Sequence, residues 1–260
     1  FAQYDIKTMP GHWFLARMGK KVLRPGGREM TRNLLNELNI SEKHNVIEFA
    51  PGVGGTTGQI LSGNPKSYLG IDQSDESLKK VNEILARTNV DRKVIKGNIS
   101  ETHLTAGKAD IILGEAVLTM QENQKKKDIL KEACRLLRKG GQYAIHEIGL
   151  SDHLTTGMDK KLLEMDMTAQ IHVKVRPLTI IEWSALFVDE GFKIKKIFTG
   201  PMQLLNFKRL VKDEGVFGVL KIIFNVLTHK NAIQRIRGMR GVFHKYRDCM
   251  NAVGIVAEKE

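Results

Sequence analysis

The residues best suited to chemistry stand at the ends of short apolar runs. Val46-Ile-Glu-Phe-Ala-Pro-Gly-Val-Gly-Gly-Thr-Thr57 reads as a strand that enters a glycine-rich turn and then a helix. Glycines there let backbone N–H groups approach a ligand, and the following helix offers unpaired N–H groups and a positive dipole end. The dinucleotide fingerprint G-x-G-x-x-G would need glycine at position 57, where the chain has Thr57, with Gly58 one residue late. Alone, the turn fits a bound ligand or a ligand-free strand-to-helix junction. Three further runs add to it. Leu69-Gly-Ile-Asp72 ends in a carboxylate able to accept from both ribose hydroxyls of an adenosine, and Gly97-Asn-Ile99 brings an amide and an apolar neighbour suited to an adenine edge and face. Gly114-Glu-Ala-Val117 ends a fourth run. In an open parallel sheet ligands bind at the carboxyl ends of strands, near the reversal of strand order, so these four ends point polar groups into one cleft.

The elements that must position these residues follow from pattern. Strands are expected at Val46–Phe49, Ser67–Ile71, Lys93–Ile95, Asp110–Leu113 and Gln142–Glu147, then at Phe192–Phe198 and Ala252–Glu258. Strand and helix alternate between them, the pattern of a mostly parallel sheet. Ser74 before Asp75 and Glu76 is an N-cap with two acids in the first turn, ahead of Leu78, Val81 and Leu85. Ile129, Leu130, Ala133, Leu136 and Leu137 mark a helix that Lys139-Gly-Gly141 should end. Thr179-Ile-Ile-Glu182 is a capping box, with the helix end near Gly191. Residues 1–44 read as a helical N-terminal extension, and residues 45–260 as one α/β domain with a basic helical insertion at about 200–249.

The 260 residues are 42% hydrophobic and 27% charged, which excludes a disordered tail protein. No apolar run reaches the roughly 18 residues of a bilayer span, and no secretory pattern opens the chain, so a cytoplasmic location is expected. Cys134 and Cys249 are too few for a disulfide scaffold or a closed zinc site. The net charge is +12, and residues 199–250 hold ten Lys and Arg against three Asp and Glu, whereas residues 45–198 hold 22 against 20. The cationic excess is therefore an addition to a nearly neutral middle.

Across about residues 45–198 and the last strand, the chain resembles the class I S-adenosylmethionine-dependent methyltransferases. Glu48-Phe-Ala-Pro-Gly52-Val-Gly54 is similar to that family's first motif, Asp72 to its ribose-binding acid and Asn98 to its adenine-side residue. Asp110–Glu115 is similar to the fourth-strand motif and Leu137-Arg-Lys-Gly-Gly141 to the turn before the fifth strand. The resemblance implies a doubly wound, mostly parallel seven-stranded Rossmann-like sheet with a reversed terminal hairpin. It implies S-adenosylmethionine as cofactor, with S-adenosylhomocysteine as product. Glu48 would organise the methionine amino group, Ala50, Pro51, Gly52 and Gly54 would pack on the methionine and sugar, and Asp72 would bind ribose. Gln73 and Ile99 would flank adenine, Asn98 would meet its edge, and Glu115 and Ala116 would lie by the sulfonium. Ala50 departs from the glycine common in the family, and alanine holds more firmly to negative φ.

Methyl transfer from a sulfonium is an in-line displacement, and positioning alone can supply about 7–11 kcal/mol of barrier lowering. The candidate base is His146, whose ordinary pKa of about 6.5 suits proton abstraction; the alternative is a histidine hydrogen-bonded in the sheet rim. Glu147 should point to the opposite face. With His153 these match no standard ligand spacing, so no metal is expected. Glu115-Ala-Val-Leu118 replaces the Asn/Asp-Pro-Pro-aromatic motif of base and glutamine methylation, and Cys134 lies mid-helix, away from the loops of cytosine-C5 nucleophiles. A small-molecule or lipid-like acceptor remains.

Trp13, Phe14, Arg17, Lys20, Lys21 and Arg24, with the apolar run Val216–Leu227, read as an apolar lid with a cationic rim. That favours an acidic or amphiphilic acceptor, with Trp13, Arg17 and Arg24 as candidate substrate contacts. A membrane-surface role fits the basic insertion but is not favoured, and nucleic acid is disfavoured by few aromatics and no recognised module. Oligomeric state is not legible. Two rival functions stand beside methyl transfer: a nicotinamide-dependent oxidoreductase, and a non-catalytic adenosine-ligand binder acting through its insertion.

Overall fold

The computed structural model describes residues 5–87, 91–151 and 157–260. Eight strands form one sheet: β1 (Asn45–Phe49), β2 (Ser67–Asp72), β3 (Arg92–Lys96), β4 (Ala109–Glu115), β5 (Leu137–Leu150), β6 (Leu178–Thr179), β7 (Phe192–Pro201) and β8 (Met250–Lys259). Their order is β3-β2-β1-β4-β5-β8-β7, with the two-residue β6 on β5. The strands from β1 to β5 pair in parallel, and β8 runs antiparallel between β5 and β7. This is the expected doubly wound sheet with its reversed hairpin. Its order reverses between β1 and β4, so the cleft at their carboxyl ends is where a ligand belongs.

The helices are α1 (Gly11–Arg17), α2 (Gly27–Leu38), α3 (Thr57–Ser62), α4 (Asp75–Leu85), α5 (Asn123–Leu136), α6 (Gly157–Ile171), α7 (Ile180–Asp189), α8 (Phe207–Thr228) and α9 (Ala232–Lys245). One face of the sheet packs on α5 and α7 through Ile129, Leu130, Ala133, Trp183 and Phe187. The other packs on α2, α3 and α4 through Leu34, Leu38, Ile60, Val81 and Leu85. Both caps read from sequence are present: Ser74 accepts from Ser77 N–H, and Thr179 and Glu182 form the reciprocal box.

Two smaller apolar clusters join the outer helices. Phe14, Leu15, Ala232 and Met239 join α1 to α9, and Leu163, Met167, Val242 and Tyr246 join α6 to α9. Sequence pattern underestimated β5, which runs 14 residues through Lys139-Gly-Gly141 instead of beginning at Gln142. Leu137 pairs with Ala109 and the register then slips by a bulge, so the glycines absorb an irregularity within the strand rather than separating helix from strand. Among the described residues no helix is long and apolar enough to cross a membrane.

Candidate active site

The glycine turn begins from a strained residue. Ala50 sits at φ +51°, in the left-handed region, where negative φ was expected of an alanine. Its N–H donates to Ile71 O at 2.8 Å, which ties β1 to β2 as the turn begins. Gly52 follows at φ +57° and donates its N–H to Asp72 Oδ2 at 3.1 Å. Asp72 also accepts from Ser74 N–H and Ser77 Oγ, so one carboxylate binds the turn to the start of α4. Oδ1 has a single partner, Ser74 N–H, among the described residues and retains capacity for a ligand hydroxyl.

Glu48 lies beneath this turn, fully buried, with Oε2 accepting from Tyr68 OH at 2.5 Å and Thr57 Oγ1 at 2.7 Å. Burial raises its pKa to about 7, against the pull of those two hydroxyls and with the nearby charge of Glu115 adding to the rise.

Glu115, at the end of β4, collects four partners. Oε1 accepts from Thr31 Oγ1 at 2.6 Å and meets His146 Nδ1 at 2.9 Å; Oε2 accepts from Thr56 Oγ1 and lies 3.4 Å from Arg24 Nε. Burial by itself would raise its pKa, but the Arg24 charge and the His146 bond prevail and hold it at about 2. Arg24 is 6% exposed, and its Nε and Nη2 make no hydrogen bond among the described residues. A buried guanidinium with free donors at the cleft wall is an incomplete site.

His146 is 0% exposed and does not line the cleft. Gly26 N–H donates to its Nε2 at 2.8 Å. Nε2 is thus the acceptor, and Nδ1 carries the proton given to Glu115. Burial lowers its pKa further. The expectation of a general base is corrected: both ring nitrogens are used, and the ring braces Glu115 against the turn before α2. Glu147, on the opposite face as strand alternation requires, does line the cleft. Its carboxylate accepts from Val117, Leu118 and Thr119 N–H and from Thr119 Oγ1, while burial raises its pKa.

The cleft has a volume of about 410 Å³. Of the residues expected from sequence, Trp13, Arg24, Glu48, Ala50, Pro51 and Gly52 line it, as do Asp72, Gln73, Glu115 and Ala116. Gly54 does not; its missing Cβ makes room for Ile84 instead, while Val53 and Gly55 face the cleft. Asn98 and Ile99 also lie outside it: Asn98 Oδ1 accepts from Ser100 N–H and Oγ, and Ile99 is in the sheet core. Arg17 is half-buried away from the lining. His153 lies outside the described residues. Among the described residues no metal-binding cluster occurs.

Sequence reasoning missed Thr31, Thr56, Thr57 and Tyr68, whose hydroxyls fix the two buried glutamates, because isolated hydroxyl residues carry no spacing signal. It also missed His12, which lines the cleft. Burial lowers its pKa to about 4, opposed by the charge of Asp72, so the ring is neutral at physiological pH, and Nδ1 has no partner among the described residues.

The electrostatics of the cleft select its ligand. Four carboxylates, Glu48, Asp72, Glu115 and Glu147, face Lys21 and Arg24. S-adenosylmethionine carries an ammonium, a sulfonium and one carboxylate; Arg24's free donors suit the carboxylate and the acidic groups suit the two cations. A dinucleotide would set two phosphates against these acids. The residues present therefore fit the methyl donor.

The family model of the methyltransferase domain matches residues 40–199. An uncharacterized protein of Haemophilus influenzae is 30% identical over 97% of this chain and 99% of its own. Among solved structures, the MccD protein is similar with a TM-score of 0.72 at 18% identity, covering 91% of this chain and 99% of that one. Geranyl diphosphate C-methyltransferase from Streptomyces coelicolor A3(2) is similar with a TM-score of 0.65 at 15% identity, covering 90% and 78%. The chain belongs to the methyltransferase domain family and is an S-adenosylmethionine-dependent enzyme of that family.

Proposed function

We propose that the protein methylates a small, largely apolar or amphiphilic acceptor. The observation that carries this reading is the wall facing the carboxylates, built from Trp13, Leu23, Met202, Leu204, Met239 and Phe243. Such a wall favours apolar groups by roughly 25 cal/mol for each Å² it removes from water. A purely acidic acceptor is disfavoured, because little of the cationic rim expected from sequence is left for it: Lys20 is buried 3.7 Å from Glu214, Arg17 lies away from the lining, and the free donors of Arg24 go to the methyl donor's own carboxylate. The run Val216–Leu227 is not the roof either, since the cleft takes its apolar residues from the segment before α8 and from α9.

Bound S-adenosylmethionine supplies a methyl group already activated by cationic sulfur. The chain's own part is to bind, orient and exclude water. Glu48 meets the ammonium, Asp72 the ribose, and Arg24 the carboxylate. Glu115, kept ionised, stabilises positive charge at the floor. His12, neutral and with Nδ1 unpaired, accepts a hydrogen bond from the acceptor's nucleophilic group. The test is transfer of a labelled methyl group to a panel graded from charged metabolites to apolar amines, phenols and isoprenoid or acyl compounds. The expected label is in organic-extractable products and falls with Met239→Glu. Label confined to small acids, protein or nucleic acid would refute the reading.

A further inference from the structure

Helix α8 is broken at Gly215, whose φ of 72° and ψ of 168° are not helical, and its halves do different work. The first half faces inward. Arg209 donates to Gly26 O and pairs with Asp213, Asp213 accepts from Arg28 N–H, and Glu214 accepts from Lys21 and Val22 N–H. Together they hold the segment that carries Arg24.

The second half buries Val219 and Ile222 and is pinned by Asn225 Nδ2, which donates to Met18 O at 3.0 Å. Its other side carries Val216, Phe217, Leu220, Ile223, Phe224 and Leu227, at the spacing i, i+1, i+4, i+7, i+8, i+11 of one continuous helical stripe. Phe217 is 88% exposed, Leu227 67% and Phe224 66%. Single exposed apolar residues are ordinary, but a contiguous row of six marks a contact surface. Lys208, Lys221 and Lys230 flank the stripe along the chain, all exposed and without an ion pair among the described residues. Arg237 and Arg240 on α9 are likewise exposed and unpaired among the described residues.

We propose that this stripe docks the protein on an anionic lipid surface, with the second half of α8 lying in the interface plane. An apolar arc with Lys221 on the same half-helix, Lys230 just past its end and Arg237 and Arg240 on the neighbouring α9 fits an interfacial helix, and no described helix can span a bilayer. Charge decides between occupants. A second copy paired through a two-fold axis would bring like lysines together, whereas acidic headgroups neutralise them. Helix α9, which packs beside α8, also supplies Met239 and Phe243 to the cleft, so docking holds the cleft near the lipid. The inference rests on this surface and not on the identity of the acceptor.

The test is sedimentation of the full chain with vesicles of phosphatidylglycerol and phosphatidylcholine, beside vesicles of phosphatidylcholine alone. The expected result is binding to the acidic vesicles that weakens as salt rises. Lys221→Glu with Lys230→Glu should weaken it by about tenfold or more. Phe217→Ser with Phe224→Ser should abolish it with the charge unchanged. Neither pair lines the cleft, so both keep the wild-type melting temperature and cofactor affinity. Absence of binding at low salt, or equal binding by the variants, would overturn the proposal. So would a dimer in analytical ultracentrifugation that the serine pair separates, which would assign the stripe to a second copy.

Discussion

Glu115 Oε1 and His146 Nδ1 stand 2.9 Å apart on paired positions of the neighbouring parallel strands β4 and β5, and the backbone N–H of Gly26 fixes which way the proton points. Because Nε2 accepts from that N–H, the imidazole is a neutral donor to a carboxylate. The pair is a brace, and it sets the charge that the cleft presents.

Replacing His146 by alanine leaves Gly26 N–H short of an acceptor and Glu115 short of a donor, both buried. The expected cost is about 3 kcal/mol of stability, read from urea unfolding. His146→Gln should recover part of it. If His146 were a base, stability would be unchanged and kcat alone would collapse with loss of the acid limb of its pH profile.

Glu115 also gives stability its acid limb. A folded-state pKa of about 2 against an ordinary 4.5 contributes stability that is present above 4.5 and lost as pH falls through about 2. Glu115→Gln should flatten the stability curve across that window, measured by denaturation at successive pH values. A curve unchanged from wild type would contradict the pairing with Arg24 and His146.

Glu48 titrates in the opposite sense. Its raised pKa of about 7 means that the free protein holds a proton there below neutrality, and an ammonium ligand must displace it. Affinity for S-adenosylmethionine should rise with pH up to about 7 and then level, changing by up to about tenfold per unit below that value. Tyr68→Phe, which removes a hydrogen bond to the ionised form, should move the midpoint upward. Calorimetry in buffers of different ionisation enthalpy would detect the released proton.

Ala50 and Ala116 both line the cleft in left-handed conformations, at φ +51° and +55°. Relief of about 1–2 kcal/mol of left-handed strain, less the entropy of a glycine, makes Ala50→Gly or Ala116→Gly stabilising by about 0.5–1 kcal/mol. Chemical denaturation measures this directly, and destabilisation by either variant would contradict it.

The strands, the glycine turn, Asp72 and the two capped helices were legible because each rests on local pattern or local hydrogen bonding. The brace was not, since Thr31, Thr56, Arg24 and His146 come from four separate elements and meet only through the fold. Asn98 and Ile99 fall outside the cleft lining for a related reason: resemblance located the third strand's end but not the turn after it, where Asn98 bonds to Ser100. Helix α8 was ambiguous because apolar residues surround it, and sequence does not say which side is covered. Only the contacts of Val219, Ile222 and Asn225 decide that.

The most direct measurement is calorimetric titration of the protein with S-adenosylmethionine, S-adenosylhomocysteine and NAD, repeated on Asp72→Asn and Arg24→Met with melting curves as controls for folding. The expected result is binding of the two adenosyl compounds and none of NAD, with each substitution weakening binding by about tenfold or more. Binding of NAD alone, or adenosyl binding indifferent to both substitutions, would contradict the assignment of the cleft.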